Sequence, residues 1–317
     1  MTEPAPTIDV RVKSITYEAE DVISLDLRPV GGGTLPPFTA GAHIELHLRN
    51  GLPRNYSLAN PRRERHRYCV TIQKDPASRG GSRFIHEQVR AGDILTISPP
   101  RNNFALVEDA ANSVLIAGGI GITPICCMVR RLAELGRPWH LFYAVRSRAK
   151  AAFLEELLAL GQVHAHFDDE SGGNFLDLAA IVRDAAPGTH FYCCGPLPML
   201  AAFEQATAAV PAEQVHVEYF SAKQPVDASG GFDVVLARSG RTVFVPEHST
   251  ILDALLAAGV EPAYSCLEGV CGTCETKVLE GIPDHRDVVL TAQERASNRT
   301  MMICCSGSKS PRLVLDL

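Results

Sequence analysis

The chain has 317 residues, 46% hydrophobic and 21% charged, with a formal net charge of −6, a size that fits two or three compact domains. This mildly acidic balance offers no basic field for a polyanion, and Arg clusters such as Arg62-Arg63-Glu64-Arg65 are interrupted, so nucleic-acid binding is excluded as an expectation. No run of about 18 apolar residues occurs, and the opening MTEPAPTIDV has no basic segment followed by an apolar one; a cytoplasmic protein without a membrane span is expected.

Residues 8 to about 107 carry short runs with strand character, IDVRVKSITYE, DVISLDLRPV, AHIELHLRN, RNYSLAN, RYCVTIQKD and DILTISPP, punctuated by Gly, Pro and Asn. Short strands at this spacing predict a small antiparallel barrel over 1–108. The character changes at residue 113. The apolar run SVLIA enters the glycine turn GGIGITP and an apolar-periodic segment, and strand-like and helix-like stretches then alternate through HLFYAV, KAAFLEELLALG, VHAHFDD, LAAIVRDAAPG and THFYCCGP. That alternation predicts a doubly wound parallel α/β domain over 109–222.

The Pro, Ser and Gly content of residues 223–231 reads as a linker. In the last segment, 232–317, FDVVLARSGRTVFVP alternates with period two around Ser239-Gly240, a hairpin signal. Thr250 with Asp253 makes a capping pair for the helix ILDALLAAG, which Gly259 ends.

Ten cysteines in a chain read as cytosolic do not point to disulfides. Cys69, Cys126, Cys127 and Cys193 lie in apolar or strand-like runs and read as small buried hydrophobes. SCLEGVCGTC differs: Cys266, Cys271 and Cys274 stand in a C-x4-C-x2-C spacing, with Cys304 and Cys305 about thirty residues on. A structural zinc site usually pairs two knuckles, and the second is missing here. Three ligands on one loop with a distant fourth is the plant-type [2Fe-2S] pattern. Gly269 and Gly272 let the loop backbone approach the sulfurs. On spacing alone the fourth ligand is either Cys304 or Cys305.

RNYSLAN, GGS, AGGIGITP, YCCGP, CLEGVCGTC, DHRD and the ending LVLDL, in this order, resemble the phthalate dioxygenase reductase family along essentially the whole chain. The resemblance implies a flavin-binding antiparallel β-barrel, a pyridine-nucleotide α/β domain and a C-terminal β-grasp ferredoxin domain. It places the fourth cluster ligand at Cys304, in the family form Cys-x-Ser. Gly307-Ser308 stands where members usually carry Arg-Ala.

A flavin needs an aromatic contact, a donor near N5 and a cation for its phosphate. Within Arg54-Asn55-Tyr56-Ser57, those roles fall to Tyr56, Ser57 and Arg54. Gly80 and Gly81, followed by Ser82 and Arg83, offer bare N–H groups at a helix start, which suits a phosphate. The resemblance adds Ile72, Gln73 and Lys74 as a wall, Thr123 near the ring, and FMN rather than FAD. For the nucleotide, Gly118, Gly119 and Gly121 allow a pyrophosphate against the helix begun by Thr123 and Pro124. Cys194, Gly195 and Pro196 end a later strand at the same sheet edge. The resemblance assigns the Cys194 thiol to the nicotinamide, brings Glu218 and Phe220 toward the flavin, and has Phe220 cover the ring. Arg146-Ser147-Arg148 ends another strand, where basic residues can receive the 2′-phosphate of NADP; the family more often uses NADH, which is the expectation here.

The expected protein is a monomeric, NADH-dependent oxidoreductase that passes electrons through FMN and the cluster to a separate oxygenase, a Rieske-type enzyme acting on an aromatic compound. A cytochrome P450 client is the alternative, and a non-enzymatic sensor or zinc-held tail the alternative of another class. His285 and Arg286 of DHRD read as structural or partner-facing, and Glu268, Glu275 and Glu280 as a solvated acidic rim.

Overall fold

The computed structural model describes residues 7–76, 78, 80–221 and 231–317. Contacts divide the chain into two compact units, Met1–Glu218 and Tyr219–Leu317. The linker expected at 223–231 lies, except for Gly231, outside the described residues.

The first unit opens with β1 (Ile8–Ala19), β2 (Val22–Pro29), β3 (His43–His47), β4 (Pro53–Ser57), β5 (Tyr68–Gln73), helix α1 (Gly81–Gln88) and β6 (Ile94–Ile97). These strands form one antiparallel sheet in the order β4-β3-β6-β1-β2-β5, and a bridge between Leu58 and Val70 joins its two ends. Register shifts in β1 between Val12 and Ser14, and between Tyr17 and Ala19, add the local bend that curls such a sheet. Val10, Val12, Leu25, Leu27, Ile44 and Leu46 fill the interior.

The sheet that follows is parallel. It comprises β7 (Asn112–Gly118), β8 (Trp139–Val145), β9 (Val163–Phe167), β10 (Thr189–Cys194) and β11 (Val215–Glu218), connected through α2 (Ile122–Leu135), α3 (Leu154–Ala159), α4 (Leu178–Arg183) and α5 (Leu197–Ala206). The order β11-β10-β7-β8-β9 means the chain winds outward from β7 one way and then crosses to β10 and winds the other way. The ends of β7 and β10 therefore flank the switch point where such sheets bind ligands. The unbroken burial of Val114–Ala117 is what a strand covered on both faces requires. Both sheets contribute to one hydrophobic core, and polar ties reinforce it: Val107 N–H donates to the Tyr192 hydroxyl at 2.9 Å, and Arg131 Nη2 meets Glu108 at 2.6 Å.

The second unit contains β12 (Phe232–Leu236), β13 (Thr242–Val245), α6 (Ile251–Ala257), β14 (Glu275–Glu280), β15 (Pro283–Asp284), α7 (Ala292–Ser297), β16 (Thr300–Met302), β17 (Gly307–Ser308) and β18 (Arg312–Leu315). The main sheet runs β13-β12-β18-β14-β16; β12 and β18 pair in parallel and β12–β13 is the expected hairpin. Ile251 and Leu255 of α6 share a core with Val234, Leu236, Met301 and Leu313. Together with the strand order, this one-helix cover gives the β-grasp architecture. Among the described residues no helix is long and apolar enough to cross a membrane.

Candidate active site

Arg54 and the start of α1 form the first feature. A side chain at Gly81 would sit 2.7 Å from Arg54 Nε and 2.8 Å from its Cγ, so glycine is what lets the guanidinium lie along the helix N-terminus. Gly80, the N-cap, takes φ 93° and has no side chain of its own to cap the helix, while Arg83 N–H donates to Ser78 Oγ at 3.3 Å. The earlier N–H groups of the first turn, beside a guanidinium, make a place for a phosphate. The Ser82 hydroxyl is engaged locally, accepting from Asp75 N at 3.2 Å and donating to Ser78 Oγ at 3.0 Å, so it ties the approach loop; Arg83 is exposed.

Tyr56 and Ser57 follow on β4, in register with Ile44 and His43. Ser57 is buried, and burial raises the Tyr56 phenol well above its ordinary range. Ile72 is buried, its carbonyl 3.0 Å from His86 Nε2; Gln73 is half-buried. Lys74 reaches toward α1 in an ion pair with Glu87 at 3.0 Å. The described side chains of the barrel part thus present an anion cradle at Arg54 and the start of α1, with half-buried Tyr56 on β4 and Gln73 on β5, which fits the phosphate and ring of a flavin.

The glycine turn after β7 has a specific steric cause. A Cβ on Gly121 would collide with the Cys194 carbonyl, one on Gly118 would lie 2.6 Å from Pro196 Cδ, and one on Gly195 2.8 Å from Met199 Sδ. The two sequence motifs AGGIG and CGP therefore interlock at the switch point. Gly119–Gly121 form a 3₁₀ turn, after which α2 begins at Ile122, one residue before the expected Thr123. Thr123 is buried and its hydroxyl donates to the Ile120 carbonyl at 3.0 Å; Pro124 lies in the first turn, where its missing N–H is harmless. Bare backbone at this edge fits a pyrophosphate.

At the end of β10, Cys194 stands opposite Glu218 of β11, its Sγ 4.0 Å from Glu218 Oε2. Burial, and then the neighbouring carboxyl, push the thiol well above its ordinary range. Glu218 keeps some surface exposure, yet crowding around its carboxyl pushes it up to about 8. Both shifts favour the protonated, uncharged forms, so the strand ends present hydrogen-bonding groups. Arg146 is exposed beyond β8. Phe220 falls in the second unit, 41% exposed.

In the second unit Cys266, Cys271, Cys274 and Cys304 are all buried. Cys266 hydrogen-bonds with Cys271 and then Cys304, which holds its thiol low, while Cys304, against Cys266, Cys274 and Cys305, is pushed up. The four thiols are thus linked in series, Cys271 to Cys266 to Cys304 to Cys274. Local support is in place from backbone and side chain: Glu268 N–H donates to Cys266 Sγ at 3.4 Å, and Cys271 Sγ lies 3.3 Å from the Thr273 hydroxyl. This donor set fits a thiolate-held cluster. Behind the loop, a Cβ on Gly269 would meet Cys305 Sγ and lie 3.0 Å from Asp287 Cα. Val288 N–H donates to the Gly269 carbonyl at 3.0 Å, and buried Asp287 accepts from Val289 and Leu290 N–H at 3.1 and 2.8 Å. DHRD is therefore a brace for the cysteine loop. The Arg54–Gly81 contact and this brace join residues far apart in sequence, and no local signal marks either.

The family pattern for a 2Fe-2S iron-sulfur cluster binding domain matches residues 234–308, and that for an oxidoreductase NAD-binding domain matches 115–205. The solved phthalate dioxygenase reductase superposes with a TM-score of 0.77 at 36% identity, covering 98% of both chains. The chain belongs to the phthalate dioxygenase reductase family. Consistent with this, the phenoxybenzoate dioxygenase subunit beta of Ectopseudomonas oleovorans is 54% identical over 311 residues, covering 98% of this chain and 97% of its own. An intact type IV self-sufficient cytochrome P450 monooxygenase also matches, with TM-score 0.87 and 40% identity; 98% of this chain is covered, but the reductase spans only 41% of that longer chain.

The reductase is accordingly an NADH-dependent oxidoreductase with FMN and a [2Fe-2S] cluster, the electron-transfer component of an oxygenase system. When bound, the flavin supplies the conversion between the electron pair of a hydride and the single electrons a cluster takes. The residues that would hold these groups are Arg54 and the start of α1 for the flavin phosphate, the glycine turn at 118–121 for the nucleotide, and the thiols of Cys266, Cys271, Cys274 and Cys304 for the cluster.

Proposed function

We propose that this reductase serves a separate Rieske-type oxygenase or demethylase that acts on an aromatic compound. The observation carrying this reading is the full-length similarity to a phenoxybenzoate dioxygenase subunit. In this reading residues 1–108 hold FMN through Arg54, Asn55, Tyr56, Ser57, Ile72, Gln73, Lys74, Gly80, Gly81, Ser82 and Arg83, with Thr123 of the following domain near the ring. Residues 109–222 hold NADH at Gly118, Gly119, Gly121, Pro124, Arg146, Cys194, Gly195 and Pro196. Glu218 adjoins the flavin, and residues 232–317 hold the cluster through Cys266, Cys271, Cys274 and Cys304. The protein works as a cytoplasmic monomer.

The similarity to a P450 fusion supports a second reading, in which the client is a cytochrome P450. Steady-state NADH oxidation with purified candidate oxygenases separates the two. A Rieske-type oxygenase should be reduced and turn over its aromatic substrate; turnover with a P450 alone would replace the first reading with the second.

A further inference from the structure

We infer that Glu170 makes the reductase select NADH over NADPH, by occupying Arg148. The inference rests on the nucleotide reading above. β8 is the second strand of the βαβ unit that starts with the glycine turn, and the tip of that strand faces the adenosine ribose in such folds. An arginine there receives a 2′-phosphate, whereas a carboxylate accepts from a 2′-hydroxyl and repels a phosphate. This tip, Arg146-Ser147-Arg148, would by itself favour NADPH.

The neighbouring strand changes the outcome. Val145 of β8 pairs with Phe167 of β9, and the loops beyond stay joined: Asp168 N–H donates to the Val145 carbonyl and Asp169 N–H to the Arg146 carbonyl, both at 3.1 Å. This carries Glu170 to Arg148, where Oε1 and Oε2 meet Nε and Nη2 at 3.2 Å each. Below, the Phe167 ring lies 4.3 Å from the guanidinium carbon. The fork is thus filled and its plane fixed.

Arg148 and Glu170 are 60% and 53% exposed, so the pair adds little stability and its effect is on local charge. Arg146 and Arg148 share this tip with Asp168, Asp169 and Glu170, a formal balance of one negative charge, and Asp168 also lies 3.7 Å from His166 Nε2. A 2′-phosphate must displace one carboxylate and then sit among the others, while a 2′-hydroxyl meets no such penalty.

The test uses the holoenzyme with ferricyanide as acceptor, so that no partner is needed, and measures kcat/KM for both nucleotides. Glu170→Gln should raise kcat/KM for NADPH by about tenfold and change that for NADH by less than about twofold, as expected for removing one like charge beside a phosphate. The gain should shrink with added salt, and adding Arg148→Ala should abolish it. An NADPH value that stays put in Glu170→Gln while NADH turnover is retained overturns the inference. Absence of NADH turnover in the unaltered protein would instead remove the nucleotide reading beneath it.

Discussion

Cys304 and Cys305 are adjacent and both buried, yet their sulfurs face different neighbours. Cys304 meets Cys266 and Cys274 as well as Cys305, whereas Cys305 Sγ also lies 3.7 Å from the Met302 carbonyl and fills the space against Gly269. Cys304→Ser should therefore purify without the iron–sulfur bands, and Cys305→Ser should retain them; the opposite pattern of absorption and iron content would reassign the ligand. Spacing alone marked three of the thiols, and the choice of Cys304 over its neighbour came from the family form Cys-x-Ser. Glu218 is a different case, since a four-residue strand gives no hint of a perturbed carboxyl. Its folded value near 8 exceeds the ordinary 4.5. Across that window the unfolded chain releases a proton that the folded protein keeps, so its contribution to stability is full below about 4.5 and lost as pH rises through about 8. Glu218→Gln should flatten the fall in urea stability between about pH 5 and pH 8; a slope equal to that of the unaltered protein would contradict the assignment.

At the level of elements, local signals served best where side chain and backbone answer each other within a few residues. Thr250 Oγ1 accepts from Asp253 N–H at 3.0 Å, Asp253 accepts from Thr250 N–H at 3.3 Å, and Gly259 takes φ 73° just past the helix. Thr250→Ala removes this cap and should cost about 1 kcal/mol in denaturant unfolding of the full chain, with the iron–sulfur spectrum unchanged at low denaturant. No loss of stability would mean that packing alone sets the start of α6. The same signature, Thr291 with Glu294, starts α7; it is present in the sequence, but a helix of six residues offers too little periodicity to stand out. The barrel strands were legible from their alternation and turn residues. Closure between Leu58 and Val70 was not, because it depends on bulges in β1.

For the whole molecule, chain order and motif spacing revealed the architecture, while the contacts joining distant segments emerged only in three dimensions. The shared core of the barrel and parallel sheet is one such feature, the brace from Asp287 to the cysteine loop another. All serve the same end: a nucleotide cradle, a flavin cradle and a thiol cradle on one chain. The central claim, that electrons entering from NADH reach the cluster, is tested most directly by anaerobic titration of the purified protein with NADH, followed by absorption. The account predicts that a flavin band and the broader iron–sulfur bands both bleach. A flavin that bleaches while the iron–sulfur bands persist, or a protein with no chromophore whose thiols hold zinc, would contradict it.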